Sequence, residues 1–303
     1  MTEKITGICC NDAGAAELIS SYILHCKPTQ KFIFSLKGPS IEIFEKKLGK
    51  LKLYSLDLMI EKSDQIFSGT GWSTEFEITG IKKARELGKY VIVFLDHWVN
   101  YKQRFKFKKD FFFPNEIWVS DTYAKNIALS IFTNIKIQLI KNYFLEDIKE
   151  TYKKKYFSNK PEQKNINFLF LSDNNNSVIK SDFLSDRNVV CRDEDLAEYF
   201  LKNLKLLSRN IGQVVIRPHP SEVDTLIKYK AVFDKYNVLF IIGGKYNLLE
   251  EISNSDVVVG GDSMALVVSM ACGKKTFTCA PPETKFFLPF VEIKKIREIK
   301  RME

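Results

Sequence analysis

Apolar strand-like runs alternate with helical patterns through most of the 303-residue sequence. The clearest run, YVIVFLD at residues 90–96, is almost continuously apolar, as expected for a parallel strand that is buried on both faces. Helical spacing marks the segments between such runs, for example residues 74–88, where Thr74 and Glu77 predict a capping box. This repeated alternation predicts an α/β fold, with an open parallel sheet covered by helices on both faces.

The alternation is interrupted once, at the charged and polar residues 149–165. We therefore expect two Rossmann-like, doubly wound domains, residues 1–148 and residues 166–303, joined by a linker at 149–165. Ligands bind at the carboxyl ends of the strands in such sheets. The active site is accordingly expected in a cleft that the two domains face.

Composition limits the classes of function. The net charge of +9 indicates an anionic partner, but no zinc-finger, RNA-recognition or basic-zipper pattern occurs, so nucleic acid is not expected. The six cysteines have no CxxC spacing and are interpreted as reduced. No signal sequence is recognised and no apolar run reaches the roughly 18 residues of a membrane span, so the expected location is the cytoplasm.

One of only three histidines stands between two prolines, where a predicted strand ends. In this Arg-Pro-His-Pro sequence, residues 217–220, the prolines restrict the backbone and hold the imidazole at the carboxyl edge of the sheet. Ser221 follows as a predicted N-cap, so the positive end of a helix would point at the same place. Arg217, His219 and Ser221 are therefore predicted to bind an anion; the alternative is a turn whose histidine caps neighbouring carbonyls.

A second predicted phosphate site follows a later strand. Residues 255–259 are strand-like and lead into Gly260 and Gly261, which permit close approach of a ligand to the backbone. Asp262 and Ser263 then open an apolar helix, so that backbone amides and the serine hydroxyl can bind phosphate. The alternative is a tight turn with an N-cap.

The His-Pro motif, the later turn of small residues and the apolar helix ending in Gly-Lys-Lys resemble the nucleotide-binding half of GT-B glycosyltransferases. The resemblance covers residues 214–275 and is greatest to bacterial CMP-sugar-dependent sialyltransferases, polysialyltransferases and Kdo transferases, with CDP-glycerol glycerophosphotransferases more distant. It implies that His219 and Ser263 contact the donor phosphate. It also implies that residues 1–148 bind the acceptor and residues 166–303 the nucleotide sugar, and no cofactor is expected besides this substrate.

The same sialyltransferases carry an acidic Asp/Glu-Asp/Glu-Gly motif whose second acid is the general base. Here residues 11–14 read Asn-Asp-Ala-Gly after the first strand, with Asn for the first acid and an inserted Ala. The resemblance implies that Asp12 removes the proton from the acceptor hydroxyl, which a carboxylate at a strand end can do. The alternative is that Asp12 only caps the following helix.

Polar and aromatic residues near the ends of two strands in the first domain form a candidate acceptor site. Its members are Thr70, Trp72, Glu75, Asp96, His97 and Arg104. His97 or Glu75 is the substitute base if Asp12 does not act, and Arg104 would meet an acceptor carboxylate or phosphate. The alternative is that the tryptophans of these loops only pack against the domain.

No metal site is predicted. Residues 193–195 match the Asp-x-Asp of metal-dependent transferases, but they open a predicted helix, where the helix dipole alone favours acids, and no His or Cys cluster has metal-ligand spacing. The tail, residues 285–303, is predicted to be a basic helix with apolar residues. It would suit an anionic membrane surface at the inner face of the membrane. A solvated tail, or a helix that crosses back onto the first domain, are the alternatives.

The resulting hypothesis is a metal-independent, cytoplasmic GT-B transferase that moves a nonulosonic acid or Kdo from a CMP donor to a glycan or lipid-linked glycan acceptor, in capsule or lipopolysaccharide biosynthesis. Asp12 would be the base, and His219 with Ser263 would stabilise the leaving phosphate. A CDP-glycerol-type phosphotransferase and a UDP-sugar 2-epimerase are alternatives on the same fold. A nucleotide-binding scaffold at the membrane surface is the non-enzymatic alternative.

Overall fold

The computed structural model describes residues 4–26, 30–71, 74–156, 165–173, 191–220, 222 and 225–299. The chain divides into two compact units, Met1–Asp147 and Ile148–Glu303. Within the described residues, each unit contains one six-stranded parallel sheet, which confirms the predicted pair of Rossmann-like α/β domains. Residues 149–155 of the predicted linker are helical, and residues 157–164 lie outside the described residues.

The first unit alternates strands and helices. Its strands are β1 (Ile5–Cys10), β2 (Lys31–Leu36), β3 (Gln65–Ser68), β4 (Tyr90–Phe94), β5 (Lys106–Phe107), β6 (Asp110–Phe111), β7 (Glu116–Val119) and β8 (Lys136–Leu139). Its helices are α1 (Ala13–Cys26), α2 (Ser40–Leu48), α3 (Leu56–Lys62), α4 (Phe76–Glu86), α5 (Thr122–Ile131) and α6 (Tyr143–Lys155), which continues across the boundary. The sequence pattern does not predict α3, α6, or the strands β5, β6 and β8.

The second unit repeats this alternation. Its strands are β9 (Ile166–Leu171), β10 (Ile211–Arg217), β11 (Phe240–Ile242), β12 (Val257–Gly260), β13 (Lys275–Thr278) and β14 (Lys294–Lys295). Its helices are α7 (Asp193–Leu207), α8 (Thr225–Lys235), α9 (Leu248–Asn254) and α10 (Met264–Ala271). The predicted alternation of strand-like and helical segments covers each of these elements except β14, although α8 begins at Thr225 and not at Ser221.

Side chains at the helix starts explain several of these boundaries. Asp121 accepts a hydrogen bond from the Ala124 amide at 2.7 Å and caps α5, and Asn247 accepts from the Glu250 amide at 3.1 Å and caps α9. Each of these bonds pairs an amide in the first turn that has no partner within its own helix.

The first sheet changes its winding direction between β1 and β3. The strand order is β2-β1-β3-β4-β7-β8, and all neighbours are parallel. The chain leaves β1 towards β2 on one side and leaves β3 towards β4 on the other. The two connections diverge at the carboxyl edge, which in sheets of this kind is where ligands bind.

The second sheet has the same feature between β9 and β12. Its order is β11-β10-β9-β12-β13-β14, again with parallel neighbours. The chain leaves β9 towards β10 and leaves β12 towards β13, so these connections diverge as well. The loops after β1, β3, β9 and β12 are therefore the positions where functional residues are most expected.

Aromatic side chains fill the cores under both sheets. In the first unit, Phe67, Phe94 and Trp118 pack together, with the ring centres of Phe67 and Trp118 4.7 Å apart. In the second unit, Phe170 lies over Phe200 with 5.6 Å between ring centres. Complete burial of one such ring stabilises a fold by roughly 1.5–3 kcal/mol, so these cores hold the strand ends in place.

A short hairpin connects β4 to β7. The 3-10 helix Gln103–Phe105 leads into β5, which pairs with β6 in antiparallel orientation. The ammonium group of Lys102 lies 5.3 Å from the ring centre of Phe111, and both side chains are exposed. Lys108 is also exposed and lies 5.5 Å from the ring centre of Phe107. The hairpin thus presents basic and aromatic side chains together.

The tail is not the basic helix that the sequence predicts, as far as residue 299, where the described residues end. β14 pairs with β13, and a 3-10 helix, Ile296–Glu298, follows it. Ile293 and Ile296 are buried, so these apolar side chains complete the second unit and do not face a membrane. Among the residues that the structure describes, no helix is long and apolar enough to cross a bilayer.

Candidate functional site

Asp12 lies between β1 and α1, beside the change of winding in the first sheet. Its Oδ1 accepts hydrogen bonds from the amides of Gly14 at 2.9 Å and Ala15 at 3.4 Å, so it caps α1 as the alternative interpretation proposed. Burial, followed by the nearby charge of Asp96, raises the pKa of Asp12 to about 7. The residue is both a helix cap and a group that titrates near neutral pH.

Asp96 and Arg104 form an ion pair beside Asp12. Arg104 Nη1 donates to Asp96 Oδ1 at 3.0 Å and to Thr70 Oγ1 at 2.9 Å, and only 6% of Arg104 is exposed. A Cβ built at Gly14 would lie 2.2 Å from Asp96 Oδ2 and 3.3 Å from Asp12 Oδ1. Gly14 therefore lets the two carboxyl groups approach the first turn of α1 together.

Two further polar atoms of this loop are buried without a hydrogen-bond partner among the described residues, His97 Nδ1 and the Tyr101 hydroxyl. Burial, followed by the charge of Arg104, lowers the pKa of His97 to about 4, so its imidazole is neutral at pH 7. Trp98 donates from Nε1 to Asp121 Oδ2 at 2.8 Å and is 7% exposed, which favours the packing interpretation for this residue. Trp72 lies outside the described residues.

Glu77 also belongs to this site, although the sequence pattern does not single it out. Its Oε1 accepts hydrogen bonds from the amides of Asn11 at 2.6 Å and Asp12 at 2.7 Å. The prediction that Glu77 closes a capping box with Thr74 is wrong, because the carboxylate points to the β1–α1 turn. Its signal in the sequence, Thr-x-x-Glu, is indistinguishable from that of a helix cap.

The structure places Glu75, the other proposed substitute base, on the surface. Glu75 stands at the N-cap position of α4, is exposed, and its side chain makes no capping hydrogen bond. Asp12, Thr70, Asp96, His97 and Arg104 are brought together at the carboxyl edge of the first sheet; Glu75 differs from them in facing solvent.

In the second unit, Arg217 and His219 follow β10. Arg217 Nη1 donates to Glu251 Oε2 at 2.6 Å and to the Tyr246 carbonyl at 3.0 Å, and it thereby holds the loop after β11. His219 and Glu222 are joined by two bonds: the His219 amide donates to Glu222 Oε2 at 3.2 Å, and the Glu222 amide donates to the His219 carbonyl at 2.8 Å. Burial lowers the pKa of His219, so its imidazole is neutral at pH 7.

The helix start predicted beside His219 is displaced. α8 begins at Thr225, and Ser221, the predicted N-cap and donor contact, lies outside the described residues. A buried ion cluster, and not the predicted helix start, lies next to His219. In this cluster, Lys228 Nζ lies 2.5 Å from Asp193 Oδ2 and 2.6 Å from Glu222 Oε1. Asp193 opens α7 as predicted, but it is fully buried in this cluster and is not explained by the helix dipole alone.

In the turn after β12, a backbone amide is already bound by an acidic side chain of the chain itself. Asp173, two residues after the end of β9, accepts from the Asp262 amide through Oδ2 at 2.7 Å. A Cβ built at Gly261 would lie 1.9 Å from the same oxygen, so only glycine allows this approach. The sequence pattern does not single out Asp173, because it follows a strand as an ordinary polar residue. One of the amides predicted to bind phosphate is therefore already paired.

Asp262 also has an internal role. Its Oδ1 accepts from the amides of Phe287 at 2.8 Å and Leu288 at 3.2 Å, which fastens the segment after β13. Burial raises the pKa of Asp262 to about 6 and that of Asp173 to about 7, the latter with a contribution from the Asp262 charge. Both carboxyl groups thus titrate close to neutral pH.

Ser263 stands at the N-cap position of α10 without making a capping hydrogen bond. Its Oγ is buried, and it lies close enough to Asp173 to favour the ionised form of that acid, although no hydrogen bond of good geometry joins them. His219 and Ser263 follow β10 and β12, which are separated in the sheet by β9 alone. Both residues therefore lie at the carboxyl edge of the second sheet.

The described residues contain no group of three or more His, Cys, Asp or Glu side chains that could hold a metal ion. The cysteines of these residues are free, and Cys9, Cys10 and Cys279 are buried. The chemistry available at the two sheet edges is therefore that of carboxylates, neutral imidazoles, hydroxyls and backbone amides.

Comparison with known proteins shows the fold. No protein-family model matches the chain, and no curated protein is significantly similar to it. The co-structure of MnaA with UDP from S. aureus has a TM-score of 0.58 at 10% identity, covering 91% of this chain and 79% of that chain. A putative UDP-N-acetylglucosamine 2-epimerase from Listeria monocytogenes has a TM-score of 0.58 at 8% identity, covering 92% and 79%. The chain accordingly has the two-domain Rossmann-like fold of the GT-B class.

Proposed function

We propose that the chain is a glycosyltransferase that takes a nonulosonic acid or Kdo from a CMP-activated donor to a surface-glycan acceptor. The single observation that carries this proposal is Asp12, a carboxyl group with a pKa of about 7 at the change of winding in the first sheet. A general base works best when its pKa is near the working pH, since it is then ionised and still basic enough to accept a proton.

In the proposed reaction, the acceptor hydroxyl oxygen forms a bond to the anomeric carbon, and the bond from that carbon to the CMP phosphate oxygen breaks. The hydroxyl proton passes to the Asp12 carboxylate, and the electron pair of the broken bond stays on the phosphate. Arg104 is paired with Asp96, so it stabilises the ionised acids here more than it binds an acceptor anion. CMP leaves as the product that an experiment can detect.

On the donor side, we assign His219 and Ser263 to the leaving phosphate. Burial keeps the imidazole of His219 neutral at pH 7, so it donates one N–H and does not supply a full positive charge. Ser263 adds a hydroxyl at the start of α10, where the helix dipole favours an anion. Together these groups place hydrogen-bond donors where negative charge develops.

The donor is tested first, without any acceptor. Thermal-shift measurements with CMP, CDP, UDP and GDP should show stabilisation by CMP and CDP, because a ligand that binds only the folded state raises its stability. Stabilisation by UDP with none by CMP would contradict a CMP donor.

The reaction is tested by phosphorus-31 NMR on the full chain incubated with a CMP-sugar. Release of CMP supports the proposed activity, and Asp12→Asn should slow it by about 10³-fold while CMP still binds. Glu75→Asn is the matched control on the exposed residue of the same unit and should leave the rate unchanged. With CDP-glycerol, formation of a phosphodiester would instead identify a phosphotransferase, and cellular function unaffected by both Asp12→Ala and His219→Ala would favour a scaffold.

A UDP-sugar 2-epimerase is the second candidate, favoured by two observations. The solved structures described above include a putative UDP-N-acetylglucosamine 2-epimerase and a UDP complex. Three carboxyl groups, those of Asp12, Glu77 and Asp96, also lie around one turn, and inversion of a C–H centre needs an acid and a base. Conversion of UDP-N-acetylglucosamine to its C2 epimer, observed by proton NMR without release of CMP from CMP-sugars, would decide for this candidate.

The membrane surface and a lipid-linked acceptor belong to the proposal as partners. The exposed lysines and phenylalanines of the β5–β6 hairpin support contact with an anionic bilayer better than the tail does. Sedimentation with phosphatidylglycerol vesicles should be weakened by Lys106→Glu with Lys108→Glu and unaffected by Lys294→Glu. Equal binding of all three proteins would remove the membrane from the proposal.

A further inference from the structure

We propose that Glu77 is a positioning residue for Asp12: its buried carboxylate holds the backbone on which Asp12 stands and keeps a second negative charge beside the Asp12 carboxyl group. The inference rests on the proposed role of Asp12 as the base. Glu77 takes no part in the proposed reaction itself. The resemblance to GT-B glycosyltransferases implies no role for it either.

Glu77 Oε1 accepts a pair of backbone hydrogen bonds. The Asn11 and Asp12 amides donate to this one oxygen at 2.6 and 2.7 Å, and Glu77 is 1% exposed. Both amides lie between the end of β1 and the start of α1, where neither element supplies a carbonyl partner. Glu77 thus fixes the direction in which the chain presents Asp12.

The other oxygen, Glu77 Oε2, is buried and has no hydrogen-bond partner among the described residues. A Cβ built at Gly71 would lie 3.3 Å from Oε2 and 3.4 Å from the Asp12 Cβ, so Glu77 and Asp12 flank this glycine. Burial of an unpaired carboxylate oxygen costs free energy. A glutamate that served only to start α4 could lie in solvent, as Glu75 does two residues earlier.

Several charged groups surround Asp12. Besides burial, the carboxyl groups of Asp96 and Glu77 raise its pKa, whereas the Ala15 amide and Arg104 lower it. The Cys10 thiol also faces this cluster, and burial raises its own pKa, so it stays uncharged. Burial raises the pKa of Glu77 itself, whereas the bonds from the Asp12 and Asn11 amides favour its ionised form. At a pH where Glu77 is ionised, removal of its charge should make Asp12 a stronger acid and a weaker base.

The test is a carbon-13 NMR titration of protein labelled at the aspartate carboxyl carbons, without substrate, with Asp12 assigned through Asp12→Asn. In Glu77→Gln, an amide oxygen still accepts the two backbone hydrogen bonds, but the charge is gone. We expect the Asp12 midpoint to fall by roughly one pH unit, the size of a like-charge effect at close range. Glu75→Gln, the matched control, should leave it unchanged.

An unchanged Asp12 midpoint in Glu77→Gln would overturn the inference. If that variant does not fold, hydrogen exchange of the Asn11 and Asp12 amides in the wild-type protein decides: slow exchange supports the anchoring, and exchange as fast as in a solvated turn overturns it. Both readouts are independent of activity. Loss of the proposed function would show instead as absent CMP release from wild-type protein, so the two failures are distinguishable.

Discussion

Each unit has a buried aspartate after its first strand, but the surroundings of the two aspartates differ. Asp12 and Asp173 each follow the first strand of their sheet, beside the change of winding, and burial raises the pKa of both to about 7. Asp12 caps α1 and lies near the Asp96–Arg104 ion pair. Asp173 accepts the Asp262 amide from the neighbouring connection.

This difference shows that the role of an acid at a sheet edge depends on which backbone amides it binds. The hydrogen bonds of Asp12 run forward into its own helix, so the acid can change its protonation without separating two strands. The hydrogen bond of Asp173 joins the connections after β9 and β12, so a change there alters the turn that leads to Ser263. We interpret Asp12 as the chemical acid and Asp173 as the structural one.

The largest expected effect contrasts the two acids in activity. Asp12→Asn should slow CMP release at pH 7 by about 10³-fold, because a general base contributes roughly 10²–10⁴-fold. Asp173→Asn should change it by less than about tenfold, because an amide oxygen still accepts the Asp262 amide. The initial rate of CMP release measures both, and a larger loss in Asp173→Asn than in Asp12→Asn would reverse our assignment.

The next expected effect is on the pH dependence of the free energy of unfolding, which Asp12 and Asp173 should influence in the same way. Their folded pKa of about 7 lies above the unfolded value of about 4, so their stabilising contribution is complete below pH 4 and is lost as the pH rises through 7. Asp12→Asn and Asp173→Asn should each raise the free energy of unfolding at pH 8 by about 2–4 kcal/mol and by little at pH 4. Urea unfolding at both pH values measures this.

The control for that measurement is Asp110→Asn, on the exposed hairpin, which should leave the pH dependence as it is. If Asp12→Asn or Asp173→Asn unfolds with the same pH dependence as the wild-type protein, that aspartate is ionised in the folded state. The two units would then differ in the pKa of this aspartate.

A smaller effect tests the glycines against which the acids lie. Gly14→Ala and Gly261→Ala should each destabilise the fold by about 2–3 kcal/mol, because the new Cβ would meet a carboxylate oxygen at 2.2 and 1.9 Å. Gly273→Ala, which meets nothing within 4 Å but has a φ of 75°, should cost about 1 kcal/mol. Urea unfolding compares the three, and equal costs would show that the acids move aside freely.

The smallest expected effect tests whether His219 in the second unit contributes only a hydrogen bond, whereas Asp12 in the first unit accepts a proton. His219→Gln should slow CMP release by about tenfold, the value of one hydrogen bond of roughly 1.4 kcal/mol. The pH profile between 7 and 8 should keep its shape, because burial lowers the pKa of His219 below its ordinary value and the imidazole is neutral there. His25→Gln is the control, and a change of the profile in His219→Gln alone would make His219 a proton donor.

The parts of the molecule that the sequence predicts are those set by local pattern. The β-α alternation predicts nearly all strands of both sheets, and strand ends predict Asp12 and His219 as edge residues. The strand order is not local, so the sequence could not show that the loops after β1 and β3, or after β9 and β12, diverge.

Glu77 and Asp173 were missed for the same reason. Each pairs with amides far along the chain: Glu77 with Asn11, 66 residues away, and Asp173 with Asp262, 89 residues away. Local patterns describe Glu77 as a helix-start residue and Asp173 as the end of a strand. Their roles depend on which strand becomes the neighbour, and that is decided by packing.

The bonds of Glu77 also have a consequence for how the first unit folds. The β1–α1 turn lies at the amino end of the chain, but the carboxylate that pairs its amides becomes available only when β3 and the start of α4 have docked beside β1. Closing a loop of this length must precede the bond, so the turn matures with its long-range contacts and not with its neighbours in sequence. In pulse-labelling experiments, the Asn11 and Asp12 amides should gain protection together with β3 and later than the middle of α1.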